Sequence, residues 1–418
     1  MNATVGLIRD GLKTLPQVAA QTATSTPDLR SIFTAKSHAG AIDPTRELVV
    51  GDRGVGKSFW SSVLRDNASR TAIRQMYPEL HLETWDVSLG FAEDIGRPEY
   101  PSSRTLKSLI DLGIQPELIW RAVLAHAVGN KYLPTGWSDL SWRNRVEWIT
   151  SNSEEEEKVL NSAHQDLVNS KRRHLIIFDA LDRLGQDWST IRALVKALLS
   201  VALEMRSYSN FGMNIFLRPD MDGDREIWAI RDGSKLRQNI TLLQWSSRDL
   251  YGFVWHWFLH SSDTRAPFAK MAHSVSDVRI SIASGERLVK IPDAFMEDEN
   301  LQKKIFEMIS GDMMGAGSKK GHPFTWIPKH LADARGRVSL RSFIIALREA
   351  ARSTPNSSST PLAYDAIKKG VQQASLNRVE QLKEDYAWID DVLKPLANLQ
   401  TPNEAKSFIE RREAEKNH

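Results

Sequence analysis

The chain has no cysteine among its 418 residues. That absence removes disulfides, thiolate metal ligands and a cysteine nucleophile together, and it suits a reducing cytoplasm, where we place the protein. No apolar run approaches the ~20 residues that a membrane-spanning helix needs, so no membrane partner is expected. The N-terminus lacks the charged-then-apolar order of a secretory signal, and residues 1–29 read instead as a polar, flexible leader. Net charge is nearly missing too: Lys+Arg 55 against Asp+Glu 52 leaves +3, with the signs interspersed, so nothing electrostatic argues for nucleic acid. What is present is 41% hydrophobic content, enough for a large core, in a length that suits two or three units. Most of the 13 tryptophans read as packing residues.

One stretch organises the rest. Gly51-Asp52-Arg53-Gly54-Val55-Gly56-Lys57-Ser58 fits G-x-x-x-x-G-K-[ST], the phosphate-binding P-loop. The context agrees: Glu47 to Val50 reads as a short buried strand, and Ser58 to Leu64 continues as a helix. Glycines at 51, 54 and 56 let backbone amides turn inward, which makes an anion nest at a helix N-terminus. Lys57 is the expected contact to the β- and γ-phosphates, and Ser58 the expected hydroxyl ligand of Mg2+, with Phe59 closing the nucleotide-binding set. A glycine-rich turn without ligand is the bland alternative.

The second stretch is His174-Leu175-Ile176-Ile177-Phe178-Asp179-Ala180-Leu181-Asp182-Arg183. An apolar run ending in Asp describes a buried parallel strand that delivers a carboxylate at its C-terminal end. This is the Walker B pattern, and it assigns Mg2+ to Asp179 together with Ser58. Asp182, three residues on, is the candidate for orienting or deprotonating an attacking water. A further strand, Met213 to Leu217, ends in Arg218-Pro219-Asp220. Arg218 is a candidate γ-phosphate sensor there, and an ion pair with Asp220 or another local carboxylate is its competing fate.

The remaining pattern sets the architecture. Strands are expected at Leu80 to Val87 and Ile240 to Trp245, and helices at Pro116 to Val128, Trp142 to Ile149 and Ile191 to Met205. Gly90 to Leu112 reads as a surface insertion, and Glu154 to Glu157 as a solvated helix face near an N-terminus. Ser246 or Ser247 is placed to cap a helix near Asp249. Helices follow at Leu250 to Leu259, Asp298 to Ile309, Ser339 to Ala351 and Pro361 to Leu396. The last of these leads into a frayed, charged tail. The expected fold is α/β: a three-layer P-loop NTPase domain with a central parallel sheet, a helical lid and a small helical C-terminal unit. The boundaries are 1–29 for the leader, 30–250 for the core with a largely helical insertion at 88–170, 251–352 for the lid, and 361–418 for a partner or oligomerisation unit.

With those residues in hand, the chain resembles the STAND and KAP type of AAA+-related, additional-strand ATPases. The resemblance rests on Gly51 to Ser58, Phe178 to Arg183, Phe216 to Asp220 and Gly336-Arg337-Val338-Ser339-Leu340-Arg341-Ser342-Phe343. It implies ATP and Mg2+ as cofactors, Arg218 as the strand-end sensor and Arg341 as the lid sensor. It also implies a nucleotide-dependent switch that assembles with itself and with a separate effector, in bacterial anti-phage defence. One departure stands out: ordinary AAA+ members carry Glu directly after the Walker B Asp, where this chain has Ala180, while Asp182 resembles the second acid of STAND and KAP proteins, which points to slow or partner-dependent hydrolysis.

Other classes fare less well. A guanine reader needs Asn-Lys-x-Asp, and Asn130-Lys131-Tyr132-Leu133 lacks the Asp. An ATP-binding scaffold with little or no hydrolysis is supported by Ala180. A DNA-stimulated ATPase is the third reading, but Lys319 and Lys320 are not a basic stripe, and Lys368, Lys369 and Arg378 are balanced by Glu380, Glu384 and Asp385. A small-molecule kinase comes last. Arg225, Arg231 and Arg237 lie where an arginine finger for a neighbouring subunit would sit.

Overall fold

The computed structural model describes residues 3–17, 22–276, 280, 291–317, 320–385, 388–394, 406 and 409. Lys319 and nearly all of the charged tail lie outside them. At its centre is a five-stranded, all-parallel sheet: β1 (Leu48–Val50), β2 (Trp85–Phe91), β3 (Arg173–Phe178), β4 (Phe211–Leu217) and β5 (Ile240–Leu242), in the order β2-β3-β4-β1-β5. Strand β4 therefore separates β1 from β3, pairing Leu48 with Ile215 on one side and His174 with Phe211 on the other. The central strands are mostly apolar because helices cover both faces, with Leu48, Val49, Ile176, Ile177 and Ile215 fully buried, and the buried Asn214 of β4 donates to Arg46 O at 2.9 Å.

The helices that matter for the site are taken in chain order. Helix α1 (Ala3–Lys13) packs through buried Ile8 and Leu12. Helix α2 (Lys57–Arg65) follows the glycine-rich loop. Helices α3 (Pro116–Gly129) and α4 (Ser153–Ser170) belong to the insertion, and α5 (Trp188–Met205) follows β3. Helix α6 (Ser247–His260) begins with a capping box in which Ser246 and Asp249 satisfy each other's backbone amides, and it is buried nearly all round. Helices α7 (Leu340–Ser353, with Ser339 as its cap) and α8 (Tyr364–Asp385) form a closely packed pair.

Four expectations are corrected. The leader is not a loose strand of chain: α1 is helical, and its buried Arg9 donates from Nε and Nη2 to the carbonyls of Pro361 and Thr360, each at 3.0 Å. Apolar residues at helical spacing, hidden in a polar-looking stretch, drive that docking. Strand β2 lies further on than Leu80 to Val87, because Pro78–Leu80 and Leu82–Thr84 form tight turns around left-handed His81. Gly90 thus belongs to the strand, beside a bulge where the Phe178 ring occupies the space a side chain would need. The acidic run does open α4, yet Glu156 is buried and bonded to Arg121 at 3.1 Å, so that face is not wholly solvated. Finally, α8 is no separate unit. Gly370 lets it approach α7 so closely that a Cβ there would stand 2.1 Å from the Ala346 carbonyl oxygen.

Candidate functional site

All the strand ends that carry chemistry point the same way, because the sheet is parallel. The ladders run one residue past the strands: Gly51 donates its N–H to Leu217 O at 3.1 Å, and Asp179 donates to Phe91 O at 3.0 Å. Gly51, Asp179 and Arg218 consequently leave three strands at one edge, where open α/β sheets bind ligands. A cavity of about 540 Å3 opens there, between the strand ends and the helices α7 and α8.

The glycine-rich loop forms its floor. Gly54 and Gly56 have φ of 76° and 108°, in the left-handed region that only glycine adopts cheaply, and Gly56 leads directly into α2. Lys57 folds back over the loop and donates from Nζ to Gly51 O at 2.7 Å and Asp52 O at 3.0 Å. Burial pulls the Lys57 ammonium below its ordinary pKa, opposed by the charges of Asp179 and Asp182. Arg53, Gly54, Gly56, Lys57, Ser58 and Phe59 all line the cavity. Gly51, Asp52 and Val55 do not. The Asp52 carboxylate turns away to Arg337 at 3.1 Å, and Val55 is buried, its carbonyl taken by Trp245 Nε1 at 2.7 Å.

Opposite the lysine stands Asp179, 1% exposed at the end of β3. Burial raises its pKa, while hydrogen bonds from Ser58 and the Ala180 amide and the charge of Lys57 pull it down. Its Oδ1 is buried with no hydrogen-bond partner. Such an orphaned oxygen costs about 1–3 kcal/mol, which a cation would recover. One carboxylate beside one hydroxyl is also the sparse protein donor set that Mg2+ accepts when phosphates and waters supply the rest. Ser58 and Asp179 therefore fit that ion.

Ala180 follows in the left-handed region at φ 54° and brings only a methyl group to the cavity. Asp182 lies on the next turn. Its Oδ2 meets Arg218 Nη1 at 3.2 Å and Arg53 Nη2 at 3.5 Å. Burial would raise the Asp182 pKa, but Arg218, Lys57 and Arg53 outweigh it and hold the carboxyl below the ordinary value. Arg218 is gripped on its other edge by Asp220, with Nη2 to Oδ2 at 2.9 Å and Nε to Oδ1 at 3.1 Å. The ion-pair fate foreseen for Arg218 is therefore realised, with Asp220 and Asp182, and the same residue also lines the cavity.

The roof comes from α7 and α8. Arg341 donates its backbone N–H to Gly54 O at 3.2 Å, and a Cβ on Gly54 would lie 2.8 Å from Arg341 Cβ, so loop and helix touch. Burial lowers the Arg341 pKa, as do Arg53 and Arg378, against Glu384, and its Nε is buried without a hydrogen bond. From α8, Asn377, Glu380, Gln381 and Glu384 face the cavity at i, i+3, i+4 and i+7 spacing, one stripe of a helix. Glu384 bonds Arg53 Nη1 at 3.0 Å.

Sequence reasoning missed this acidic stripe, as it missed Arg348, Ile344 and Ile345 on α7 and the Pro16-Gln17 segment after α1. The signal for Arg348 was present: it lies seven residues beyond Arg341, on the same helix face. Nothing local pointed to α8, whose position depends on packing against α7. Of the arginine-finger candidates, Arg225, Arg231 and Arg237 are all exposed and outside the cavity lining, and Arg237 stacks on Trp228 at 5.0 Å. Among the described residues no helix is long and apolar enough to cross a membrane. No family model, curated protein or solved structure matches the chain.

Proposed function

We propose that the chain is a Mg2+-dependent ATP-binding protein with slow ATPase activity, whose nucleotide state controls assembly with itself and with a separate effector. The observation that carries the nucleotide reading is convergence. Lys57 and Ser58, Asp179, Asp182 with Arg218, and Arg341 are far apart in the chain and meet around one cavity above a glycine-rich loop. A cation-lined P-loop beside a buried carboxylate is the arrangement that grips a nucleoside triphosphate.

In this reading the loop amides and Lys57 bind the phosphates, and Lys57 Nζ exchanges the Gly51 and Asp52 carbonyls for phosphate oxygens. Ser58 and Asp179 hold Mg2+, which neutralises phosphate charge. Arg341 reaches the phosphates from the lid and ties its position to what the loop holds. Asp182, kept acidic by two guanidiniums, is a poor base, so it orients a water rather than deprotonating it. With Ala180 in place of a carboxylate, the residue after Asp179 supplies no base, and the carboxylate of Glu93, which also lines the cavity, is paired with Arg183 at 2.8 Å, so slow turnover is expected. The setting in anti-phage defence rests on the family resemblance alone.

The test is calorimetry of ATP with Mg2+ on the purified chain, followed by phosphate release. Binding with slow release is expected, and Asp182→Asn should bind while releasing less. Absence of binding overturns the nucleotide reading, whereas binding with no release at all favours the scaffold reading that Ala180 supports. Mass photometry with and without ATP and Mg2+ tests the assembly role, which a nucleotide-independent mass would sink.

A further inference from the structure

Helix α7 presents to the cavity a second arginine to which phosphate and Mg2+ binding give no role. Arg348 follows Arg341 by seven residues, or two helical turns, which sets it on the same face about 10 Å further along the axis. Ile344 and Ile345 lie between them on the helix, and Pro16 and Gln17 also line the cavity. The Arg348 side chain is only 14% exposed. Its Nε is buried without a hydrogen bond. The ion pair it forms, to Glu349 Oε1, is long at 3.8 Å, and Glu349 is held more closely by Arg352 at 2.7 Å. An arginine half-withdrawn from water without a close partner is costly to keep in a cavity wall, and a ligand would repay that cost.

The cavity's lining thus holds two chemically distinct sets of side chains. One gathers Lys57, Ser58, Arg53, Arg341 and the strand-end carboxylates, and suits phosphate and a hydrated cation. The other offers an apolar surface of Ile344, Ile345 and Pro16, an amide from Gln17 and one planar guanidinium. That second set lacks the clustered cations of a phosphate site. It suits a flat heteroaromatic ring with hydroxyl groups, since a guanidinium plane stacks on π-systems and its edge donates hydrogen bonds.

We propose that Arg348 binds the base and ribose half of the nucleotide, stacking its guanidinium on the purine or donating to the sugar hydroxyls. This inference rests on the nucleotide reading, and its test separates the two. Binding of ATP and of inorganic tripolyphosphate, each with Mg2+, is measured by calorimetry on the full chain, Arg348→Ala, Arg348→Lys and Lys57→Ala. Arg348→Ala should weaken ATP about 5- to 20-fold, the range of a desolvated cation–π contact, and leave tripolyphosphate within about twofold. Arg348→Lys keeps the charge but loses the plane, so it should still bind ATP weakly. Lys57→Ala should weaken both ligands. Unchanged ATP affinity in Arg348→Ala, or equal weakening of ATP and tripolyphosphate, overturns the assignment while leaving the nucleotide reading intact. If Arg348→Ala fails to fold, Arg348→Lys decides by the same ratio. A wild-type chain that binds neither ligand overturns both.

Discussion

The two walls of the cavity are built on different principles. The sheet-side wall is made of backbone: strand ends in parallel register deliver Gly51, Asp179 and Arg218, and the ladders continue past the strands to hold them. The helical wall is made of side chains. Among the described residues it is tied to the loop by a backbone hydrogen bond from Arg341 to Gly54, an ion pair from Glu384 to Arg53 and, just before α7, an ion pair from Arg337 to Asp52. Backbone ladders break only with the fold, whereas ion pairs exchange when a competing anion arrives. The sheet wall is therefore the more rigid template, and in the proposed reading the helical wall is the part a bound phosphate would reposition.

The sharpest way to break the comparison is at Gly370. Replacing it with Val forces a side chain against the Ala346 carbonyl, and either α7 and α8 separate or both distort. We expect a loss of about 3 kcal/mol by chemical denaturation, the upper range for overpacking. Far-UV circular dichroism of the remaining fold should change little, since the sheet is untouched. A fully stable variant would show that the helical wall is not held as described.

Lys57→Ala attacks the other wall. It should weaken ATP roughly 100-fold by calorimetry, about 2.7 kcal/mol, while leaving the melting temperature of the free chain near its starting value. Among the described residues the Lys57 ammonium donates to carbonyls of its own loop, and its burial offsets the attraction of Asp179 and Asp182, so little stability depends on it.

Asp182→Asn probes a contact inside the sheet wall, and its effect should depend on pH. The carboxylate pKa is depressed, so its charge contributes stability above the ordinary value of 3.8, and that contribution fades as pH falls through the lower folded value. The variant should lose about 1–2 kcal/mol at neutral pH, and the difference should close below pH 3.8 in denaturation measured across pH. A difference that persists in acid would place the effect in packing.

The smallest effect belongs to the bridge between the walls. Glu384 is 69% exposed, and Glu384→Gln should change stability by less than ~1 kcal/mol, an effect that added salt removes. It should nevertheless tighten ATP binding slightly by freeing Arg53 from a competing carboxylate. Weaker ATP binding in that variant would mean that Glu384 helps hold the ligand rather than competing with it.

The loop from Gly51 to Ser58 was legible because its requirements are local: left-handed glycines, a lysine and a hydroxyl at fixed offsets. Asp179 was legible because an apolar run ending in Asp, downstream of such a loop, marks a buried strand that delivers a carboxylate. Strand β2 was misplaced because alternating Leu80 and Leu82 imitate a strand, while Pro78 and left-handed His81 bend the chain instead. The helix at the N-terminus escaped notice because its stretch looks polar and its neighbours, among them Phe258, Thr264 and Pro361, lie far along the chain.

By itself, then, the amino-acid sequence determined the glycine-rich loop, the buried carboxylate and the alternation of strands and helices, all set by short-range spacing and hydrophobic period. Only the tertiary structure decided what faces them. Asp182 became an ion-paired residue because β4 carries Arg218 to the neighbouring strand end. Arg348 and the acidic stripe of α8 became cavity walls because Gly370 lets two helices approach at backbone distance. Those pairings join residues far apart in the chain, and no local pattern encodes which distant surface a helix will meet.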